Sequence, residues 1–188
     1  TRASNANPGA EESTDDVEMA QAVVRALEAQ QPQVFSLENV WMYRTFESFK
    51  RITTALGDMG YIWDFEHVNA ADFGVPQTRK RLILRASRGL LPSLPPPVRW
   101  VGWYEAIADL LPTLPESQLA PWQLARLPSD ICPPVLFDGD NSNSFTFSEA
   151  NSPVFTMRGG RVSKHRAVLG PRVVSMTPRA PVSYTHLR

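Results

Sequence analysis

Residues 34–43 read "VFSLENVWMY", and their reading decides how the first half of the chain folds. Val34, Phe35 and Leu37 make an apolar run that predicts a strand over 34–38, buried on at least one face. Glu38 and Asn39 then place a carboxylate and an amide where that strand leaves the core. A charge in this position has two meanings. Most commonly it is the solvated first residue of a loop. Alternatively it stands in the crevice at the carboxyl end of a parallel sheet, where open α/β folds bind ligands. The stretch alone leaves both open.

The flanking sequence supplies a layered context. Upstream, Ser13 or Thr14 is placed to cap a helix whose first turn holds Asp15, Asp16 and Glu18, where the helix dipole favours acids. Val17, Ala20, Val24 and Leu27 recur at helical spacing, and Pro32 ends the run. Downstream, Phe46, Phe49, Ile52, Leu56 and Met59 predict a helix from about Thr45 to Met59, closed by Gly60. Tyr61 to Val68 alternates as a strand does, and "RLILR" (81–85) reads as another. Helix, strand, helix, strand, strand is the order of an α/β unit with a sheet layered by helices.

Past Ser87 the character changes. "LLPSLPPPVRW" (90–100) is a proline-rich connector, and a domain boundary is expected near residue 92. One short amphipathic helix is predicted over Trp103–Leu111. The remainder is rich in Pro, Ser and Asn, with brief strand-like pieces at Ser144–Phe147 and Val154–Met157.

Composition narrows the class. The chain has 188 residues, 43% hydrophobic and 20% charged, as soluble globular proteins do. No apolar run reaches the length of a membrane span and the start lacks a signal-peptide pattern, so a cytoplasmic location fits. A single cysteine, Cys132, excludes an internal disulfide framework, and three scattered histidines give no metal-ligand spacing. The formal net charge is zero, but it is unevenly spread. Residues 1–40 carry seven acids against two arginines, whereas residues 151–188 carry no acid. That final stretch holds Arg158, Arg161, Lys164, Arg166, Arg172, Arg179 and Arg188, which suit a phosphate backbone or a solvated basic loop equally.

A second constellation lies forty residues beyond Glu38. "NAADFGVPQTRKRLILRAS" (69–87) contains a tight turn at Asp72-Phe73-Gly74, then Gln77, Arg79 and Arg81 alternating on entry to a strand. Basic residues at alternate strand positions usually mean a solvated face. Here Leu82, Ile83 and Leu84 follow directly, so the face is constrained.

Glu38-Asn39-Val40 at a strand end, followed by Asp-Phe-Gly-Val-Pro-Gln-x-Arg-x-Arg before the next strand, closely resembles the cytosine-5 DNA methyltransferases. Either motif alone is weak; together at this separation they are specific. "ASNANPGAEESTDD" (3–16) resembles the loop after that family's catalytic Pro-Cys dipeptide. "WYEAIADLLPTLP" (103–115) resembles the opening of its target-recognition region. "RVVSMTPRA" (172–180) resembles the returning Arg-x-Leu-Thr-x-Arg-Glu motif, with Ser175-Met176 a departure. The resemblance implies a partial Rossmann-like methyltransferase sheet with helices over 1–91, then a smaller irregular target-recognition domain over 92–170. A catalytic-domain motif would return at 171–180.

What the resemblance implies about chemistry answers the opening question. In this family the target cytosine is flipped out of the duplex, because its reacting edge is otherwise stacked. A cysteine thiolate adds to ring carbon 6, and carbon 5 then takes a methyl group from S-adenosylmethionine. A carboxylic acid beside ring nitrogen 3 relieves the charge that builds there. By resemblance Glu38 is that acid, favoured in its neutral form by an apolar strand end, and Asn39 shapes the turn that aims it. Arg79 or Arg81 would hold the base's carbonyl oxygen, with Val40 and Gln77 as structural support. Arg158, Arg161, Lys164, Arg166 and Arg172 would meet double-stranded DNA.

Two parts of the family pattern are not in this sequence. There is no glycine-rich loop for S-adenosylmethionine, so the cofactor-binding residues are unknown. There is also no Pro-Cys, since Cys132 lies in "ICPPVL" in the reverse order. "PVSYTHLR" (181–188) leaves the pattern too. The expectation is an internal piece of a DNA cytosine-5 methyltransferase, inactive alone. A non-catalytic DNA-binding or regulatory relative, one subunit of a split enzyme, and a tRNA-directed relative stay open beside it.

Overall fold

The computed structural model describes residues 12–127, 134–141, 144–154 and 165–176. The chain divides into two compact units, Thr1–Asn69 with Lys80–Pro95, and Ala70–Arg79 with Pro96–Arg188.

In the first unit, α1 spans Thr14–Gln30, capped by Ser13. The cap is reciprocal: Ser13 Oγ accepts from the Asp16 amide at 3.3 Å, and the Asp16 carboxylate accepts from the Ser13 amide at 3.2 Å. Strand β1 (Val34–Asn39) leads into a 3₁₀ turn at Trp41–Thr45, and α2 begins only at Glu47, ending at Asp58. The aromatic run before Glu47 therefore forms a tight turn where the spacing suggested the start of the helix. Phe46, the N-cap of α2, offers no side-chain cap. Glu12 supplies it instead, accepting from the amides of Glu47 and Ser48 at 2.9 Å each. A carboxylate there satisfies two orphan donors and complements the helix dipole.

Strands β2 (Ile62–Asn69) and β3 (Lys80–Ser87) complete a three-stranded sheet of order β1-β3-β2. Both flanking strands run antiparallel to β3, so β1 and β2 share a direction without being neighbours. The end of β1 thus lies beside an antiparallel strand, not between two parallel ones. One face of the sheet, with Leu82, Leu84 and Ala86, packs against Ala20 and Leu27 of α1 and Phe49, Ile52 and Leu56 of α2. Leu82 and Leu84 are fully buried, each stabilising the fold by about 1.5–3 kcal/mol through loss of water contact. The opposite face carries Val34, Glu38, Ile62, Asp64, Glu66, Arg81 and Arg85. Arg85 there forms ion pairs with Glu66 and Asp64.

The second unit is more regular than its composition suggests. After α3 (Trp103–Ile107) and a 3₁₀ turn at Leu111–Thr113 comes α4 (Pro121–Leu124). Four strands follow, β4 (Val135–Asn141), β5 (Ser144–Glu149), β6 (His165–Val168) and β7 (Val173–Met176). They form an antiparallel sheet of order β5-β4-β6-β7. Leu136, Ala167, Val174 and Met176 pack with Trp103 and Ile107 in one cluster. Phe137 and Val168 pack with Leu119 in a second. Trp103 Nε1 donates to the Ser148 carbonyl at 3.1 Å, tying α3 to the end of β5. The returning stretch 173–176 is thus a strand of this sheet.

Candidate functional site

Glu38 and Arg81 meet because of strand register. Glu38 lies opposite Ile83, so Arg81 is its diagonal neighbour on the same face. A slip of one residue would send Arg81 to the helix-covered face. In the observed register Arg81 Nε lies 2.7 Å from Glu38 Oε1. Arg81 Nη1 also donates to the Lys80 carbonyl at 2.8 Å, which steadies the fork. The Glu38 side chain is 52% exposed and that of Arg81 is 20% exposed. Among the described residues it is a guanidinium, not the apolar strand end, that stands against the Glu38 carboxylate.

Asn39 faces the covered side of the sheet, level with Leu82. Its Oδ1 accepts from the Val40 amide at 2.8 Å and turns the chain out of the strand. Val40 and Trp41 then pack on the core. The Trp41 ring stacks on His67 with centroids 4.3 Å apart and planes 16° from parallel. The Arg44 guanidinium lies 4.3 Å from the Trp41 ring centroid. His67 stays exposed at the sheet edge, but partial desolvation against this stack, with Lys80 and Arg44 nearby, holds its pKa below the ordinary histidine value. Sequence reading missed His67, because a lone histidine in an alternating strand carries no signal of its partner.

Gln77 and Arg79 precede β3 and belong to the second unit. The Arg79 carbonyl accepts from the Ala70 amide at 3.0 Å, closing the 70–79 loop on itself. Gln77 forms an isolated parallel bridge with Val154 and lines a small cavity of about 20 Å³ with Pro76, Trp103, Ile107, Leu136 and Met176. Their alternation with Arg81 is thus not that of one continuous strand. Arg79, Gln77 and Arg81 are held by different partners.

Of the basic residues assigned to DNA, Arg158, Arg161 and Lys164 lie outside the described residues, as does Cys132. Arg166, on β6, donates from Nη1 to its neighbour His165's carbonyl at 3.0 Å and to Ser175 Oγ at 3.3 Å, and burial lowers its pKa. Arg172 donates to the carbonyls of Leu111, Pro112 and Leu114 at 3.3–3.4 Å and lies 3.4 Å from Glu116. Both arginines serve their own unit, so a phosphate would compete with bonds already made.

A carboxylate and a guanidinium are thus fixed together at a strand end, beyond the core that α1 and α2 cover. The profile of the C-5 cytosine-specific DNA methylase family matches residues 4–106, a span that contains Glu38, Asn39, Arg79 and Arg81. The chain belongs to the C-5 cytosine-specific DNA methylase family.

Its relatives within the family include a Type II methyltransferase of Xanthomonas oryzae pv. oryzae, 30% identical over 168 residues. That alignment covers 82% of this chain and 39% of the relative. A Type II methylase of Herpetosiphon aurantiacus is 32% identical over 87 residues, 45% of this chain and 25% of that protein. This family member therefore spans well under half the length of the curated relatives it matches. Among solved structures, a methyltransferase of Entamoeba histolytica overlays with a TM-score of 0.39 at 17% identity, over 54% of this chain and 32% of that one.

Proposed function

We propose that the complete protein is a DNA cytosine-5 methyltransferase, transferring a methyl group from S-adenosylmethionine to carbon 5 of cytosine in DNA. In this reading the 188-residue chain carries part of the catalytic sheet and the target-recognition region. The observation that carries it is the Glu38–Arg81 pair at the end of β1, within the span that matches the family.

The chemistry follows from what the pair can do. Addition to carbon 6 of a flipped cytosine pushes negative charge toward ring nitrogen 3 and the exocyclic oxygen. Glu38, once it has taken a proton from solvent, donates that proton or a strong hydrogen bond to the nitrogen. Arg81, fixed through Nε and Nη1, offers the rest of its planar fork to the oxygen. Asn39 and the Trp41–His67 stack hold the turn that sets the angle of Glu38. Arg79 assists from the 70–79 loop, and Arg158, Arg161 and Lys164 engage the phosphate backbone. The nucleophile lies outside this chain, because Cys132 does not stand in a Pro-Cys dipeptide.

The described residues do not by themselves make a site for S-adenosylmethionine. No glycine-rich loop occurs among them: Gly60, Gly74 and Gly170 stand singly at turns with positive φ, and Gly102 is packed against the backbone of Ala150 and Asn151.

The test is expression of the complete reading frame in a methylation-free host, followed by bisulfite mapping of the host DNA. Conversion-resistant cytosines at a defined sequence are expected. Complete conversion, with soluble protein present, would sink the proposal.

A further inference from the structure

Residues 70–79 pack with the second unit, although the strands that flank them in sequence belong to the first. Attachments at two points hold them there. At the tip, the Val98 amide donates to the Asp72 carbonyl at 2.8 Å, and Trp100 Nε1 donates to Asp72 Oδ1 at 2.7 Å. Gly74, at φ +82°, brings the turn against Val98, whose Cγ2 would lie 3.6 Å from an added Cβ. Near the other end, the Val154 amide donates to the Pro76 carbonyl at 2.9 Å. Thr78 donates to the Val154 carbonyl through both its amide, at 2.7 Å, and its Oγ1, at 3.2 Å.

We propose that Trp100 and Asp72 form a clasp, and that Trp100 is a positioning residue for the segment bearing Gln77 and Arg79. The inference rests on the functional reading above only for what Arg79 does, not for the clasp itself. Trp100 is 47% exposed, so burial alone does not hold its ring. Its directional tie is a hydrogen bond to a carboxylate, the stronger class of such bonds. Pro96 and Pro97 restrict the approach to Val98, so the connector can transmit a fixed position where a flexible one could not. With its tip held by Trp100 and its exit by Val154, the 70–79 loop keeps one geometry. Release of the tip leaves the exit as the remaining anchor.

The test is amide hydrogen exchange on the 188-residue chain, read at Val75, Thr78 and Val98. Trp100→Phe keeps an aromatic ring but removes the donor, and Asp72→Ala removes the acceptor. Each is expected to speed exchange at those amides roughly three- to tenfold, the worth of one hydrogen bond in a local opening. Asp72→Asn keeps an accepting oxygen but loses the charge, and should exchange at a rate between those of wild type and Asp72→Ala. Leu136 and Ala167, in the sheet of the same unit, should not change. Equal rates in Trp100→Phe and wild type would overturn the clasp, and so would equal acceleration at Leu136 and Ala167. In the complete enzyme Trp100→Phe should lower kcat by a similar factor, leave KM for DNA unchanged, and be matched by Asp72→Ala but not by Asp72→Asn. Faster exchange with unaltered kcat would overturn the positioning role. A wild-type enzyme with no methyl transfer would count against the functional reading and leave the exchange result standing.

Discussion

The two sheets of this protein bury themselves in different ways. In the first unit, β3 lies between two strands, and helices α1 and α2 cover one face. The other face carries Glu38, Arg81, Arg85, Asp64 and Glu66, joined in ion pairs. In the second unit, apolar clusters form around residues of alternating position on β4: Leu136 in one, Phe137 in the other. A one-sided sheet has room for charge at defined positions. A sheet packed on both faces has less room, and the charged Arg166 on its inner strand β6 is part-buried and held by the His165 carbonyl and Ser175 Oγ. The comparison extends to two arginine–glutamate pairs. Arg81 holds Glu38 across a strand register at 2.7 Å, whereas Arg172 reaches Glu116 at 3.4 Å while satisfying three turn carbonyls. The first pair presents a carboxylate; the second closes a turn.

The largest expected effect separates those pairs by activity. In the complete enzyme, Glu38→Gln should lower turnover about a hundredfold or more, because an amide cannot supply the proton. Arg81→Lys should also lose most methyl transfer while folding normally, since lysine lacks the planar fork. Glu116→Gln, at an exposed ion pair, should change stability by no more than about 1 kcal/mol and leave turnover alone. Rates measured at saturating DNA decide it; near-normal turnover in Glu38→Gln would make that carboxylate structural.

Next come the two cores. Trp103→Ala in the second unit should cost about 3–5 kcal/mol, and Leu84→Ala in the first about 2–5 kcal/mol. Urea unfolding followed at signals from each unit would show whether each loss stays in its own unit. Gly102→Ala adds a more specific strain. Its Cβ would fall inside van der Waals contact with the Ala150 carbonyl oxygen and 2.8 Å from Asn151 Cα. Overpacking of that kind costs about 1–3 kcal/mol, and an unaltered urea midpoint would show that the 150–151 turn can give way.

Smaller again is the cap of α2. Glu12→Ala leaves two helix amides without an acceptor and should cost about 1 kcal/mol by urea midpoint. The smallest effect concerns pH. The folded His67 pKa is lowered, so the unfolded chain takes the proton first as pH falls below about 6.5. His67 therefore stabilises the fold above that pH, and its contribution is lost as pH falls through the lower folded value. His67→Phe keeps a ring on Trp41 without the titration. The difference in urea midpoint between pH 7 and pH 5 should be smaller in the variant, and an equal difference would remove His67 from the account.

Legibility in the sequence followed the same division. The first unit's elements were readable because each has a strong local period. α1 shows acids at its start and apolar residues at helical spacing, and of the two cap candidates, Ser13 and Thr14, the structure uses Ser13. β1 and β3 appear where the apolar runs place them, β1 one residue longer and β3 three. In the second unit, Val135-Leu136-Phe137 is a continuous apolar run, and β6 and β7 have four residues each. Runs that short carry no period to distinguish strand from loop. Short strands of that kind are recognisable only once their neighbours are paired to them.

By itself, the sequence determined the residue types at the site, the helix–strand order of the first unit and the family pattern joining Glu38 to Arg79 and Arg81. Those are local properties: propensity, periodicity and spacing act over a few residues, and a motif is a string. Tertiary structure alone decided which partners those residues have. Antiparallel register put Arg81 beside Glu38, a distant Glu12 capped α2, and Val154 and Trp100 took hold of the 70–79 loop. Each of these bonds joins residues far apart in the chain, and a contact of that kind depends on how whole elements pack. No local window contains both of its ends.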